Sequence, residues 1–314
     1  MTLFRTLATG IGAIALTFSA HAAGGAKHSH APEEGWPFVG PVGQLETDSV
    51  QRGYQVYREA CASCHGMKLL SYRNLGEKGG PFYDDAYPNA NDNPLVKAFA
   101  ASDEILDPVP NESGDFDFRP ARPSDPFRSP YPNDQAARAG NGGALPPDLS
   151  IITKARGHGH DGDGASYVYS LLTGYKTDKV KTVRGEDGLN VNYIDTFDDE
   201  HLSGTLTQPT GLHYNPYFAG DTTPQWDGDP RHVPYGGFIA MAPPLVIDGQ
   251  VEYIDGTEAT IEQMAYDVAQ FLQWAGEPKQ DSRKSLGLPV IAYLLFLAIL
   301  LWFSFHRIWR NVEH

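Results

Sequence analysis

The chain of 314 residues holds two cysteines, three positions apart, and a histidine follows the second in the run Cys61-Ala62-Ser63-Cys64-His65. Two thiols one helical turn apart can reach the two vinyl groups on one edge of a porphyrin, each closing a thioether. The imidazole of the next residue then meets the iron from one side. This is the attachment pattern of one covalently bound haem c, with Cys61 and Cys64 as anchors and His65 as an axial ligand. Other uses of a cysteine pair fit the chain less well. A thioredoxin-like redox pair wants a βαβ setting that the flanks do not offer. A zinc site wants two more ligands, and there is no second cysteine pair. A disulfide between residues three apart is strained.

An iron that passes electrons needs a ligand on its second side, and methionine there raises the reduction potential. The methionines are Met1, Met67, Met241 and Met264. Met1 belongs to the leader described below, and Met67 stands too close to His65 to reach the opposite face. Met264 falls in the stripe Ile261, Met264, Ala265, Val268, Phe271, Leu272, which is the spacing of a helix face turned to a core. Met241 remains, in the run Ile239-Ala240-Met241-Ala242-Pro243-Pro244-Leu245. Its small neighbours permit close approach to a ring, and the two prolines stiffen the segment. A histidine is the alternative. His28, His30, His158 and His160 cluster in polar segments and His201, His213 and His232 stand singly, where a solvated loop histidine is the ordinary reading.

Helices must position these groups. Ahead of the cysteines, Asp48 or Ser49 can cap a helix that turns Val50, Gly53, Tyr54 and Tyr57 to one side. Gly53 admits a second helix at close range, and Tyr57 can pack on it. Thr260 and Gln263 form a capping box for the helix of the Met264 stripe. With 33 glycines and 24 prolines, much of the remaining backbone is expected to be loop. Residues 84–140, rich in Asp, Asn and Pro without an apolar period, and the polar stretch 176–208 read as surface elaborations on loops. The run Gly157-His158-Gly159-His160-Asp161-Gly162-Asp163-Gly164 lacks the spacing and closing Glu of a calcium loop and reads as a polar turn.

The net charge of -15 excludes nucleic acid as a natural partner and suits a cationic protein. Glu186-Asp187 and Asp198-Asp199-Glu200 are candidate acidic contacts, although such runs are most often a solvated face. Residues 1–22 read as a signal peptide, with Arg5, an apolar Ile11 to Phe18 and Ala20-His21-Ala22 as the cleavage site. Leu286 to Phe305 carries no charge and is long enough to cross a bilayer. His306, Arg307 and Arg310 follow it, which places that end in the cytoplasm, and Trp302 and Trp309 suit the interface. The expected organisation is a signal peptide over 1–22, an extracytoplasmic haem domain over 23–280, and a membrane anchor with a short cytoplasmic tail over 281–314.

Several further runs resemble the cytochrome c1 family, the haem subunit of the cytochrome bc1 complex, in its bacterial form. They are Arg52-Gly53-Tyr54-Gln55-Val56-Tyr57, Gly143-Ala144-Leu145-Pro146-Pro147-Asp148-Leu149-Ser150, Ser170-Leu171-Leu172-Thr173-Gly174-Tyr175, Tyr214-Asn215-Pro216-Tyr217-Phe218, and Asp267-Val268 through Phe271-Leu272-Gln273-Trp274-Ala275. They keep family order, and Met241 lies much farther from His65 than in small soluble c-type cytochromes. The resemblance implies a mainly α c-type cytochrome domain with long loop insertions and one C-terminal transmembrane helix. It implies that Pro147 lies in a haem-pocket loop and that Arg156 pairs with a haem propionate. It also implies a role in ubiquinol–cytochrome c oxidoreductase. There the electron comes from the Rieske iron–sulfur protein, beside cytochrome b, and leaves to a cationic soluble or tethered c-type cytochrome. This chain alone would make no bonds. The place implied is the bacterial inner membrane, with the bulk periplasmic. Some bacterial relatives carry an extra disulfide in the distal region; no cysteine is left for one here, so packing must hold the Met241 segment. A free-standing membrane-anchored shuttle, or a haem enzyme with an open sixth site, are the other readings.

Overall fold

The computed structural model describes residues 25–157, 160, 162–175, 179–184, 190–194, 202 and 204–310. The expected signal peptide, His158, His201 and the two acidic runs at 186–187 and 198–200 lie outside the described residues.

Helix α1 spans Thr47–Val56. Its start differs from the expected cap: Glu46 takes that place without a side-chain bond, and Asp48 sits in the first turn, where its charge suits the helix dipole. Ser49 is drawn into the core instead, and its Oγ donates to Asp267 Oδ1 at 2.6 Å. After Val56 the helix widens into one π turn, Tyr57–Cys61, closed by Ala62 N donating to Tyr57 O at 2.8 Å. A short 3-10 turn follows at Tyr72–Gly76.

The stretch expected as loop over 84–140 carries more structure than its composition suggested. Helix α2, Pro94–Ala101, opens on Asn93, whose side chain accepts from Leu95 N and Val96 N. Strands β1 (Glu104–Leu106) and β2 (Phe118–Pro120) pair antiparallel, and α3 (Asp134–Gly140) is capped by Asn133. Asn and Pro here serve as helix starts. These helices are too short to print a legible apolar period, α2 burying only Val96 and Ala100. Helices α4 (Ile152–Ala155) and α5 (Asp163–Thr173) come next. The described part of 176–208 is likewise not plain loop. Strands β3 (Val180–Arg184), β4 (Asn190–Ile194) and β5 (Leu206–Gln208) form one antiparallel sheet over a small core of Ile194, Leu206 and Tyr214. Strands β6 (His213–Asn215) and β7 (Gly237–Ile239) make a second antiparallel pair.

Helix α6, Ile261–Gly276, is the centre of the molecule, packing on α1, α4 and α5. It crosses α1 at Gly53, where a Cβ would lie 2.0 Å from the Asp267 carbonyl oxygen. Only a residue without a side chain permits that approach. Tyr57 packs on Phe271 with ring centres 5.6 Å apart, and Met264 and Met67 are fully buried in the same core. The cap of α6 is half of the expected box. Thr260 Oγ1 accepts from Gln263 N at 3.1 Å, but the Gln263 side chain turns to Asp267 Oδ1. The buried Asp267 carboxylate also takes both Arg52 Nε at 2.9 Å and Arg52 Nη2 at 3.0 Å, so the crossing is sealed by a satisfied charge.

Helix α7 spans Gln280–Trp309 and is, among the described residues, the one helix long and apolar enough to cross a membrane. Its base is fastened to the domain. Gln280 accepts from Gln273 Nε2 at 2.7 Å, Lys284 Nζ donates to the Phe38 carbonyl, and Asp281 accepts from Leu45 N at 3.2 Å. Beyond that base no part of its apolar stretch is buried.

Candidate functional site

The π turn delivers Cys61 at its last position, and the Cys61 carbonyl accepts from both Cys64 N at 3.1 Å and His65 N at 2.9 Å. The five residues are thereby curled into one tight turn. Both thiols are half-buried and unbonded to each other. Burial first, and the neighbouring Cys64 second, push the Cys61 thiol up to about 12. A redox-active cysteine would need the opposite shift, which argues against that role for Cys61.

His65 Nδ1 donates to the Pro147 carbonyl at 2.7 Å. That bond settles the tautomer: Nδ1 carries the proton, and Nε2 keeps the lone pair that can bind iron. Burial lowers the affinity of the imidazole for a second proton, which the Pro147 bond only partly offsets. Tyr57 Oη donates to the His65 carbonyl at 3.2 Å. The loop after Pro147 is laced to the segment after His65: Leu149 N donates to Gly66 O at 2.9 Å, Lys68 N to Asp148 Oδ2 at 2.8 Å, and Leu69 N to Ser150 Oγ at 3.1 Å. Asp148 and Ser150 thus work as fasteners that no motif count singled out, although an Asp two residues before a Ser is an Asx-turn signal.

Met241 and Arg156 form a second group. Met241 is half-buried just beyond β7, and its carbonyl accepts from Tyr175 Oη at 3.0 Å. Arg156 ends α4, with its guanidinium 5.7 Å from the centre of the Tyr167 ring. Tyr167 is on α5 and Tyr175 follows its end, so one element and its continuation meet both residues. Lys154, two residues earlier, pairs with Glu277 at 3.4 Å. Among the described residues no hydrogen bond joins this group to His65. The described histidines offered as alternatives have other surroundings. His30 is packed edge-on between Tyr169 at 5.7 Å and Tyr217 at 5.5 Å, His213 lies on β6, and His232 sits beside Asp229 at 3.6 Å.

The donor set fits a haem c. Two unpaired thiols share one turn with an imidazole whose Nε2 is left available, and a thioether and a guanidinium stand elsewhere on the domain. No cluster of three or more His, Cys, Asp or Glu able to hold a metal ion occurs among the described residues. Fold and site together define a mostly helical domain built around a Cys-x-x-Cys-His turn and ending in one apolar helix of membrane-crossing length.

The model of the cytochrome C1 family matches residues 36–312. The chain is 40% identical over 280 residues to a protein named cytochrome b/c1 from Bradyrhizobium diazoefficiens, a match covering 89% of this chain and 36% of that protein. It is 38% identical over 291 residues to cytochrome c1 of Rhodospirillum rubrum, covering 90% of this chain and 88% of the relative. It is 40% identical over 299 residues to the mitochondrial cytochrome c1 haem protein of Saccharomyces cerevisiae, covering 95% and 78%. The chain therefore spans little more than a third of the Bradyrhizobium protein and most of the other two. It belongs to the cytochrome c1 family.

Proposed function

We propose that this chain is the haem-bearing electron-transfer subunit of a cytochrome bc1 complex, a ubiquinol–cytochrome c oxidoreductase. The observation that carries the reading is the family match over residues 36–312, which takes in the Cys61–His65 run, the Met241 segment and the apolar helix together. One relative's name couples cytochrome b with c1, which supports cytochrome b as a neighbour.

In this reading Cys61 and Cys64 hold the porphyrin edge through thioethers, and His65 presents Nε2 to the iron. Met241 would be the other side chain to hold the iron. Arg156 faces a propionate, where a guanidinium lowers the cost of burying a carboxylate near the ring. Haem, when bound, supplies a one-electron couple whose potential a methionine ligand raises. The protein contributes position: the Pro147 carbonyl and the laced loop fix the imidazole, so little reorganisation is needed when charge changes. The donor is the Rieske iron–sulfur protein, and the acceptor is a cationic c-type cytochrome drawn by the chain's acidity. Helix α7 anchors the domain in the bacterial inner membrane, with the bulk periplasmic and the basic C-terminal end cytoplasmic, after loss of a signal peptide over 1–22.

Solubilisation in mild detergent, followed by haem staining and subunit identification, tests the assignment. The chain should stain for haem after denaturation and travel with a di-haem cytochrome b and a Rieske protein. Recovery of the stained chain alone would instead make it a free-standing anchored shuttle.

A further inference from the structure

Met241 lies past the last residue of β7, in a segment with neither helix nor strand. Among the described residues one hydrogen bond reaches residue 241, from the Tyr175 hydroxyl to its carbonyl at 3.0 Å. The flanks are held separately. On the near side Tyr214 Oη donates to the Tyr235 carbonyl at 2.5 Å, and on the far side Gln250 Nε2 donates to the Pro244 carbonyl at 2.8 Å. Neither contact fixes the chain at 241 itself.

Tyr175 is well placed to do so because its own position is over-determined. It follows α5 by two residues, and the intervening Gly174 is pressed against Tyr217, where a Cβ would lie 2.5 Å from Tyr217 Cδ2. Asn215 of β6 donates through Nδ2 to the Leu171 carbonyl at 2.8 Å. The end of α5 therefore grips the β6–β7 pair at one point and the chain just beyond it at another. The same helix carries Tyr167, over which Arg156 lies.

The geometry points to Tyr175 as a positioning residue for Met241: its hydroxyl, presented by the end of α5, fixes the main chain at 241 and with it the reach of the thioether. This rests on the reading of Met241 as an axial ligand and deepens it. Two elements far apart in sequence then set one ligand, and the rigidity of the distal segment comes from a tyrosine just beyond a helix rather than from the prolines at 243 and 244. Groups that orient a ligand without touching the metal commonly tune its affinity. A lost hydrogen bond of ordinary strength corresponds to a roughly fivefold change in the ligand-on to ligand-off ratio.

The test uses the full chain in its membrane complex, with Tyr175→Phe compared with Met241→Ala. Three readouts are followed: the absorption band of a thioether-ligated ferric haem, the midpoint potential, and carbon monoxide binding to the reduced form. Tyr175→Phe should stain for haem like the natural chain. It should also weaken the band, lower the potential, and raise the carbon-monoxide-reactive share roughly fivefold. If band, potential and reactivity stay at the natural values while Met241→Ala loses the band, the tether is wrong and the ligand stands. If Met241→Ala keeps the band, the ligand reading fails and the tether falls with it. Should Tyr175→Phe yield no haem protein, Tyr175→Leu, which also lacks the donor, is read the same way: a weakened band and lowered potential support the tether, and natural values overturn it.

Discussion

The imidazole of His65 has two nitrogens and one of them is already spoken for, because the Pro147 carbonyl takes the Nδ1 proton at 2.7 Å. A proline supplies that carbonyl well, since its ring restricts the backbone that aims it. The proposed second ligand, Met241, is the sharper test. Met241→Ala should lower the midpoint potential by on the order of 0.1 V, a fraction of the roughly 0.8 V that axial ligation commands. It should also open the reduced protein to carbon monoxide. A redox titration with a carbon monoxide difference spectrum reads both, and an unmoved potential would send the search for the ligand elsewhere. A second pair acts on stability. Asp125 is held below its ordinary range by the hydrogen bond from Arg119, at 2.7 Å. Its folded value lies below its unfolded one, so the pair's contribution is complete above the ordinary carboxylate range and is lost as pH falls through the depressed value. Asp125→Asn should therefore lower the neutral plateau and flatten the acid limb below about pH 4, so that the two proteins converge at low pH. Acid denaturation followed by circular dichroism compares the two.

At the scale of elements, the crossing of α1 and α6 sets everything else, because α1 runs straight into the turn that carries Cys61. Gly53 is the contact point, and the atoms a methyl would meet there include main chain, which cannot swing aside. Gly53→Ala should cost about 3 kcal/mol by overpacking. That corresponds to roughly 6–12 °C in melting temperature for a domain of this size. Thermal unfolding of the haem-loaded protein measures it, and a change of under a degree would mean that the helices are free to separate. The Asp267 carboxylate at the same crossing is fully buried yet met by Ser49, Arg52 and Gln263. It adds direction to a contact that apolar packing alone leaves free to slide.

For the whole molecule the division of labour lies between a folded domain and one long helix. Among the described residues the domain fastens α7 near its base, through Gln280, Asp281 and Lys284. A chain ending after Ser285 should therefore leave the membrane fraction and keep the absorption spectrum of the full protein; a truncated product still sedimenting with membranes would place the anchor elsewhere. The net charge of -15 acts over the same scale. Reduction of a cationic c-type cytochrome should slow steadily as ionic strength rises and the Debye length shrinks toward a few ångströms. Stopped-flow rates over a salt series show this, and a flat series would remove electrostatic steering from the mechanism.

What the chain declares by itself is what consecutive residues can encode. The proposed haem attachment rests on a five-residue spacing, the α1 and α6 faces on a helical period, and the helix of membrane-crossing length on an uncharged stretch from Leu286 to Phe305. Each is a local property, so each was legible. The short helices and strands within 84–140 and 176–208 were not, because they are set by caps and cross-strand partners rather than by any period of their own. The partners of the site residues were less legible still. His65 and Pro147 are 82 positions apart, Tyr175 and Met241 are 66 apart, and Ser49 and Asp267 are 218 apart. Which carbonyl meets which donor across such distances is decided by how the helices pack: Gly53 was legible as a place for a second helix, but that α6 fills it, and that Gly174 meets Tyr217, is visible only once the chain is folded. The turn from Cys61 to His65 carries the proposed chemistry in five letters; its bond to Pro147, and the bond from Tyr175 to the Met241 carbonyl, came from tertiary structure alone.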